Sequence, residues 1–106
     1  MPESLLRIIT SRSTSEVVIK LSGECDISNV ECLNATIYEI LLAGNRRIVL
    51  DVEDLNFMGS CVLTSIERAV EHLQQDGGIV VIKRPSSIVR RVLDIFAVSE
   101  RAVIVE

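Results

Sequence analysis

Two short runs of aliphatic residues, Ile48-Val49-Leu50-Asp51-Val52 and Ile79-Val80-Val81-Ile82, most constrain what this chain folds into. Each is nearly unbroken in its apolar character, the pattern of a strand covered on both faces, as parallel strands are. Between them, from about Ser60 to Gln75, Val62, Leu63, Ile66, Ala69, Val70 and Leu73 recur at helical spacing and stop at Asp76-Gly77-Gly78. Strand, helix and second strand make a crossover unit, because parallel neighbours need a connection of a dozen or more residues.

The unit repeats on both sides. Ser28-Asn29-Val30-Glu31 has the spacing of a capping box and precedes a stripe at Val30, Leu33, Ile37, Ile40 and Leu41 that closes at Gly44. Pro85-Ser86-Ser87 opens a third helix with Ile88, Val89, Val92, Leu93 and Phe96 on its inward side, and Ala102 to Val105 is a closing strand. Near the start, Leu5 to Ile9 and Val17 to Leu21 flank the polar turn Ser11 to Glu16, an antiparallel pair whose second strand ends at Gly23. The expected order is ββαβαβαβ, an α/β fold with a mixed, largely parallel sheet covered by helices.

At 106 residues the chain suits one domain, spanning 1–106. With 3% aromatics and no Trp, its core is built from Val, Ile and Leu. A net charge of −4, no basic stripe and few rings for stacking argue against nucleic acid, and Arg46-Arg47 and Arg90-Arg91 read as solvated faces. No apolar run approaches the ~20 residues of a membrane-spanning helix, and Met1-Pro2-Glu3-Ser4 lacks a signal-peptide pattern. Cys25, Cys32 and Cys61 are odd in number and form no C-x-x-C pair, as expected for reduced thiols in a cytoplasmic protein.

Little catalytic chemistry is available. His72 is the only histidine and falls outside the helical stripe, so no metal site and no cofactor are expected. Cys61 and His72 lie ~16 Å apart along one helix, too far for a catalytic pair. Gly77-Gly78 precedes a strand and fails the context of a dinucleotide loop. The carboxylates Glu24/Asp26 and Asp51/Glu53/Asp54 have no partner base, and an enzyme is not expected. Ser60 stands out instead. It sits where a strand meets a helix, at a positive dipole end that welcomes phosphate, although serine is equally a favoured helix cap. Residue type alone leaves switch and cap both open.

Gly23-Glu24-Cys25-Asp26, Leu50-Asp51-Val52 with Phe57-Met58-Gly59-Ser60-Cys61-Val62-Leu63, and Pro85 to Leu93 together resemble the three signature regions of the STAS domain. The pattern is most similar to the bacterial anti-sigma-factor antagonists and covers nearly the whole chain in order. In that family a Gly-Glu-Leu-Asp turn lies beside an Asp-Ser-Ser-Gly-Leu loop, whose first serine is phosphorylated by an anti-sigma factor with serine kinase activity. The resemblance implies Ser60 as phosphoacceptor and Gly23, Glu24, Asp26, Ser28, Asn56, Met58, Gly59, Cys61 and Thr64 as partner-binding residues. It implies a partner switch: the unphosphorylated antagonist binds the anti-sigma factor and frees a sigma factor, and a serine phosphatase resets the system. Nucleic acid, membrane and cofactor have no part in it. The chain departs from the family pattern at Gly59 (family Asp), Cys61 (second Ser) and Val62 (Gly). These departures keep two other readings open, a STAS-type interaction or scaffold module that is not phosphorylated, and a redox sensor built on Cys61.

Overall fold

The computed structural model describes residues 5–95 and 101–106. Its elements are β1 (Leu6–Arg12), β2 (Val17–Cys25), α1 (Val30–Leu42), β3 (Arg47–Met58), α2 (Ser60–Gln74), β4 (Ile79–Lys83), α3 (Ser87–Ile95) and β5 (Val103–Val105). The expected order is the observed one. The strands lie side by side as β1-β2-β3-β4-β5, β1 antiparallel to β2 and the rest parallel. Because β2 to β5 advance in one direction and such crossovers are right-handed, all three helices cover the same face.

Strand alternation follows from that arrangement. Val17, Ile19, Leu21, Ile48, Leu50, Val52, Val80 and Ile82 share one core with Leu33, Ile37 and Ile40 of α1, Ile66, Val70 and Leu73 of α2, and Val89 and Leu93 of α3. The intervening residues Val18, Val49 and Val81 are neighbours in register on the reverse face, where Val49 and Val81 are also buried. Ion pairs frame that valine row: Arg47 with Glu16, Lys20 with Asp54, and Arg84 with both Asp51 and Glu53. Residues 48–52 of β3 are therefore buried on both faces.

Three expectations need correction. β3 does not stop at Val52 but runs on to Met58. It carries extra residues relative to β2, since Lys20 and Ser22 face Asp51 and Asp54, while Gly23 and Glu24 face Leu55 and Phe57. These bulges break the two-residue period, so burial falls on Val52, Leu55 and Met58. Nor does β2 end at Gly23, which it passes with φ +93 on its way to Cys25. Leu5 approaches so closely there that a Cβ on Gly23 would stand 1.8 Å from its carbonyl oxygen, an oxygen that accepts the Glu24 N–H at 3.0 Å. In α3, Ile88 is 60% exposed, because it falls about 100° around the helix from the buried Val89. Phe96, expected on the same inward side, lies outside the described residues.

Candidate functional site

β2 and β3 end together at the carboxyl edge of the parallel strands, where ligand-binding loops of open α/β sheets gather. Cys25 faces Met58 in register, and the Gly59 N–H donates to the Cys25 carbonyl at 2.8 Å. A Cβ built on Gly59 would lie 3.4 Å from the Asp26 Cα. The turn after β2 and the junction after β3 are thus one surface, which brings the Asp26 backbone up against Gly59, the residue before Ser60, although they are far apart in sequence.

The turn is organised by a residue the sequence reading did not single out. Asn29 is buried, its Oδ1 accepts the Asp26 N–H at 2.9 Å, and its Nδ2 donates to the Glu24 carbonyl at 3.0 Å. Its own N–H returns to the Asp26 carbonyl at 3.1 Å. An Asp-x-x-Asn spacing ahead of a helix is the signal that points to it, since short amide and acid side chains bond to nearby backbone in turns. The expected capping box is absent. The Ser28 hydroxyl and N–H both donate to the Asp26 carboxylate, at 2.5 and 2.9 Å, and the Glu31 carboxylate accepts from the Asn34 side chain. Asn29, not Ser28, holds the cap position of α1. Ser28 does something else: its hydroxyl, then its N–H, hold the Asp26 carboxyl below the ordinary carboxylate range. Asp26 is a fixed negative charge at neutral pH.

At the junction the cap position belongs to Gly59, with φ −74 and ψ 158. Ser60 is the first helical residue, exposed to solvent, and its hydroxyl makes no hydrogen bond among the described residues. The two roles left open by sequence are thereby separated, because a residue inside the first turn is not the cap. α2 also begins with no side-chain cap and no acidic residue in its first turn. Its leading N–H groups and positive dipole end remain uncompensated by side chains. Gly59 has an ordinary backbone conformation and its Cβ position meets only van der Waals contacts, so the fold does not demand glycine there.

The other implied partner-binding residues divide by exposure. Ser28, Asn56 and Thr64 are exposed, Thr64 one helical turn beyond Ser60. Glu24, Asp26, Gly59 and Cys61 are half-buried, Cys61 against the core. Met58 is 3% exposed and supports the surface from beneath. Gly23 serves the close approach of Leu5. Two apolar side chains escaped the sequence reading: Ile27, 80% exposed at the tip of the acidic turn, and Phe57, 45% exposed and paired with Glu24. A cavity of about 350 Å³ between α1 and α2, lined by Tyr38, Ser65 and Arg68 among others, includes none of these residues. Among the described residues no cluster of His, Cys, Asp or Glu is arranged to hold a metal ion, and no helix is long and apolar enough to cross a membrane.

This arrangement has close structural counterparts. The unphosphorylated form of the anti-sigma factor antagonist SpoIIAA superposes with a TM-score of 0.83 at 25% identity, over 92% of this chain and 87% of that one. The phosphorylated form of SpoIIAA, a Bacillus cell fate determinant, gives 0.75 at 24% identity, over 92% and 90%. An anti-sigma factor antagonist from Mycobacterium paratuberculosis gives 0.86 at 18% identity, over 94% and 85%, a likeness of fold. The STAS domain profile matches residues 7–104, from β1 into β5, and takes in both the acidic turn and the Ser60 junction. With sheet order, helix placement and sequence profile in agreement, this chain belongs to the STAS domain family.

Proposed function

We propose that the domain is an anti-sigma-factor antagonist that docks, unphosphorylated, on an anti-sigma factor with serine kinase activity and is switched off by phosphorylation of Ser60. Like the antagonists it resembles, it is a regulatory interaction module and not an enzyme. The observation that carries the reading is the state of Ser60: an exposed, unbonded hydroxyl at an uncapped helix start, beside the Asp26 turn. Glu24, Asp26, Ser28, Asn56, Gly59 and Thr64 surround it on the docking surface, with Ile27 and Phe57 as apolar anchors of the kind that dominate protein interfaces.

The energetics favour a switch that spares the fold. A phosphate brings about −1.5 to −2 charge. Charge at the start of α2 is stabilised by about 0.3–1 kcal/mol, so the domain stays folded. The same charge joins the Asp26 carboxylate, which is ionised at neutral pH, and takes the net charge from −4 to roughly −6. A partner that buries this surface must then desolvate a phosphate beside a carboxylate, a cost of several kcal/mol if no cation meets it. A serine phosphatase restores docking.

Binding of Ser60→Ala and Ser60→Asp variants to the cognate anti-sigma factor, measured by calorimetry, tests the proposal. Ser60→Ala is expected to bind as wild type and Ser60→Asp at least tenfold more weakly; equal affinity overturns it. Gly59 supports a second reading, in which the domain is an interaction or scaffold module that is never phosphorylated. The family's loop carboxylate is missing there although the backbone has room for one. In that case the same partner binds, and no phosphate is incorporated.

A further inference from the structure

The cavity of about 350 Å³ between α1 and α2 takes no part in the docking surface, and the residues that line it follow an order set by the two helices. α1 and α2 each join neighbouring parallel strands across the same face, so they run in the same direction. Ser65 fixes how they align. It is buried, a hydroxyl inside the apolar stripe of α2, and it donates to the Asn34 Oδ1, while the Asn34 Nδ2 donates to the Glu31 carboxylate at 3.1 Å. One turn further along, Tyr38 on α1 and Arg68 on α2 therefore come level on the two sides of the cavity. Ala35 and Ala69 also line it, and their short side chains leave the space open, with Leu41 toward its far end. The charged groups are kept apart: Glu31 stands three residues before Asn34 and Arg68 three after Ser65, a separation of about 9 Å along the axes. Glu31 is engaged by Asn34, whereas the Arg68 guanidinium and the Tyr38 hydroxyl have no hydrogen bond or ion pair among the described residues.

We propose that this cavity binds a small monocarboxylate with an apolar body, of the aryl- or alkyl-carboxylic acid class. The carboxylate accepts from the planar fork of the Arg68 guanidinium, which matches its two oxygens, and from the Tyr38 hydroxyl. The apolar body lies over Ala35 and Ala69 toward Leu41. The volume falls within the roughly 300–1,000 Å³ of small-molecule sites, and a mostly apolar lining with a few polar groups is their usual composition. Glu31 supplies discrimination, since its carboxylate opposes a second negative group at the other end. Its distance from Arg68 also leaves no way for one α-amino acid to bridge the two charges. The ligand touches both of the helices whose first residues border the docking surface, and leaves that surface uncovered.

Titration of the purified protein with phenylacetate and with hexanoate, followed through its backbone amide NMR shifts, tests this. Both probes are expected to give saturable shifts centred on Asn34, Ala35, Tyr38, Ser65, Arg68 and Ala69. Arg68→Gln, at an exposed position, is expected to weaken phenylacetate binding about tenfold, and the uncharged phenylacetamide to bind wild type about tenfold more weakly, as the loss of a charge-assisted bond implies. Ala35→Leu, also at an exposed position, fills the cavity and is expected to abolish the shifts. Shifts that do not saturate with millimolar probe, shifts centred elsewhere, unchanged affinity in Arg68→Gln, or phenethylamine bound as tightly as phenylacetate overturns the proposal. Neither kinase nor anti-sigma factor is present in the titration, so its failure leaves the phosphorylation reading untouched.

Discussion

Replacement of Asn29 by alanine isolates what holds the acidic turn in place. The side chain satisfies two backbone groups, the Asp26 N–H and the Glu24 carbonyl, from a buried position. Each bond contributes about 0.5–1.5 kcal/mol net, and a partner left unsatisfied costs more where water is excluded. Asp26 is half-buried, so water reaches part of the vacated space, and the expected loss is about 2 kcal/mol. That corresponds to a fall in the urea midpoint of about 1 M and in Tm of roughly 8–16 °C for a domain of this size. Urea unfolding followed by circular dichroism reads the first, and the Asp26 amide is expected to exchange faster. Asn29→Asp sharpens the result: it keeps an acceptor for the Asp26 N–H but sets an oxygen against the Glu24 carbonyl, so it is expected to be no more stable than Asn29→Ala. A loss below about 0.5 kcal/mol in both variants would refute the reasoning, since each hydrogen bond alone is worth at least that much.

Further predictions concern the neighbours of that turn. Gly23→Ala combines a positive φ with a Cβ 1.8 Å from the Leu5 carbonyl, so it is expected to cost several kcal/mol and detach β1 from the end of β2; hydrogen exchange localises the change. Ser28→Ala removes the larger of the two bonds that lower the Asp26 carboxyl, whose titration by NMR is expected to move up toward the ordinary carboxylate range. A lowered carboxyl stabilises the fold above its ordinary range and loses that contribution as pH falls through the lowered value, so wild type and Ser28→Ala converge in acid. Cys25 has the opposite sign: with its thiol raised from 9.0 to about 11, the unfolded chain ionises first, and stability present below pH 9 is lost as pH rises. Alkaline unfolding is expected to weaken wild type by roughly 2–3 kcal/mol more than Cys25→Ala between those limits. Equal slopes for the two proteins would contradict the burial of that thiol.

What the sequence made legible is the part governed by strong periodicity. Ile48–Val52 and Ile79–Ile82 are central strands, and helical stripes at Val30–Leu41 and Val62–Leu73 place α1 and α2 within a residue or two of their ends. Beyond Val52 the bulges replace alternation with a spacing of three, and no local pattern announces that Leu55 and Met58 are still strand. Ser28 and Glu31 have the right types and spacing for a capping box, but Asp26 offers Ser28 a nearer acceptor and the box never forms. Which of Gly59 and Ser60 is the cap rests on a single residue's backbone angles, below what composition resolves. The position of Ser60 beside Asp26 depends on the parallel pairing of β2 with β3, a contact across more than thirty residues. Only the resemblance to a known family anticipated it.

The central claim is that Ser60 is a regulated hydroxyl on a protein-docking surface. Incubation with the cognate anti-sigma factor and ATP, peptide mapping by mass spectrometry, and a binding measurement on the same sample test it together. The account predicts a single phosphate on Ser60, none in Ser60→Ala, and loss of the complex as the phosphate accumulates. Phosphate at another residue, or a complex that persists after Ser60 is fully phosphorylated, would contradict it.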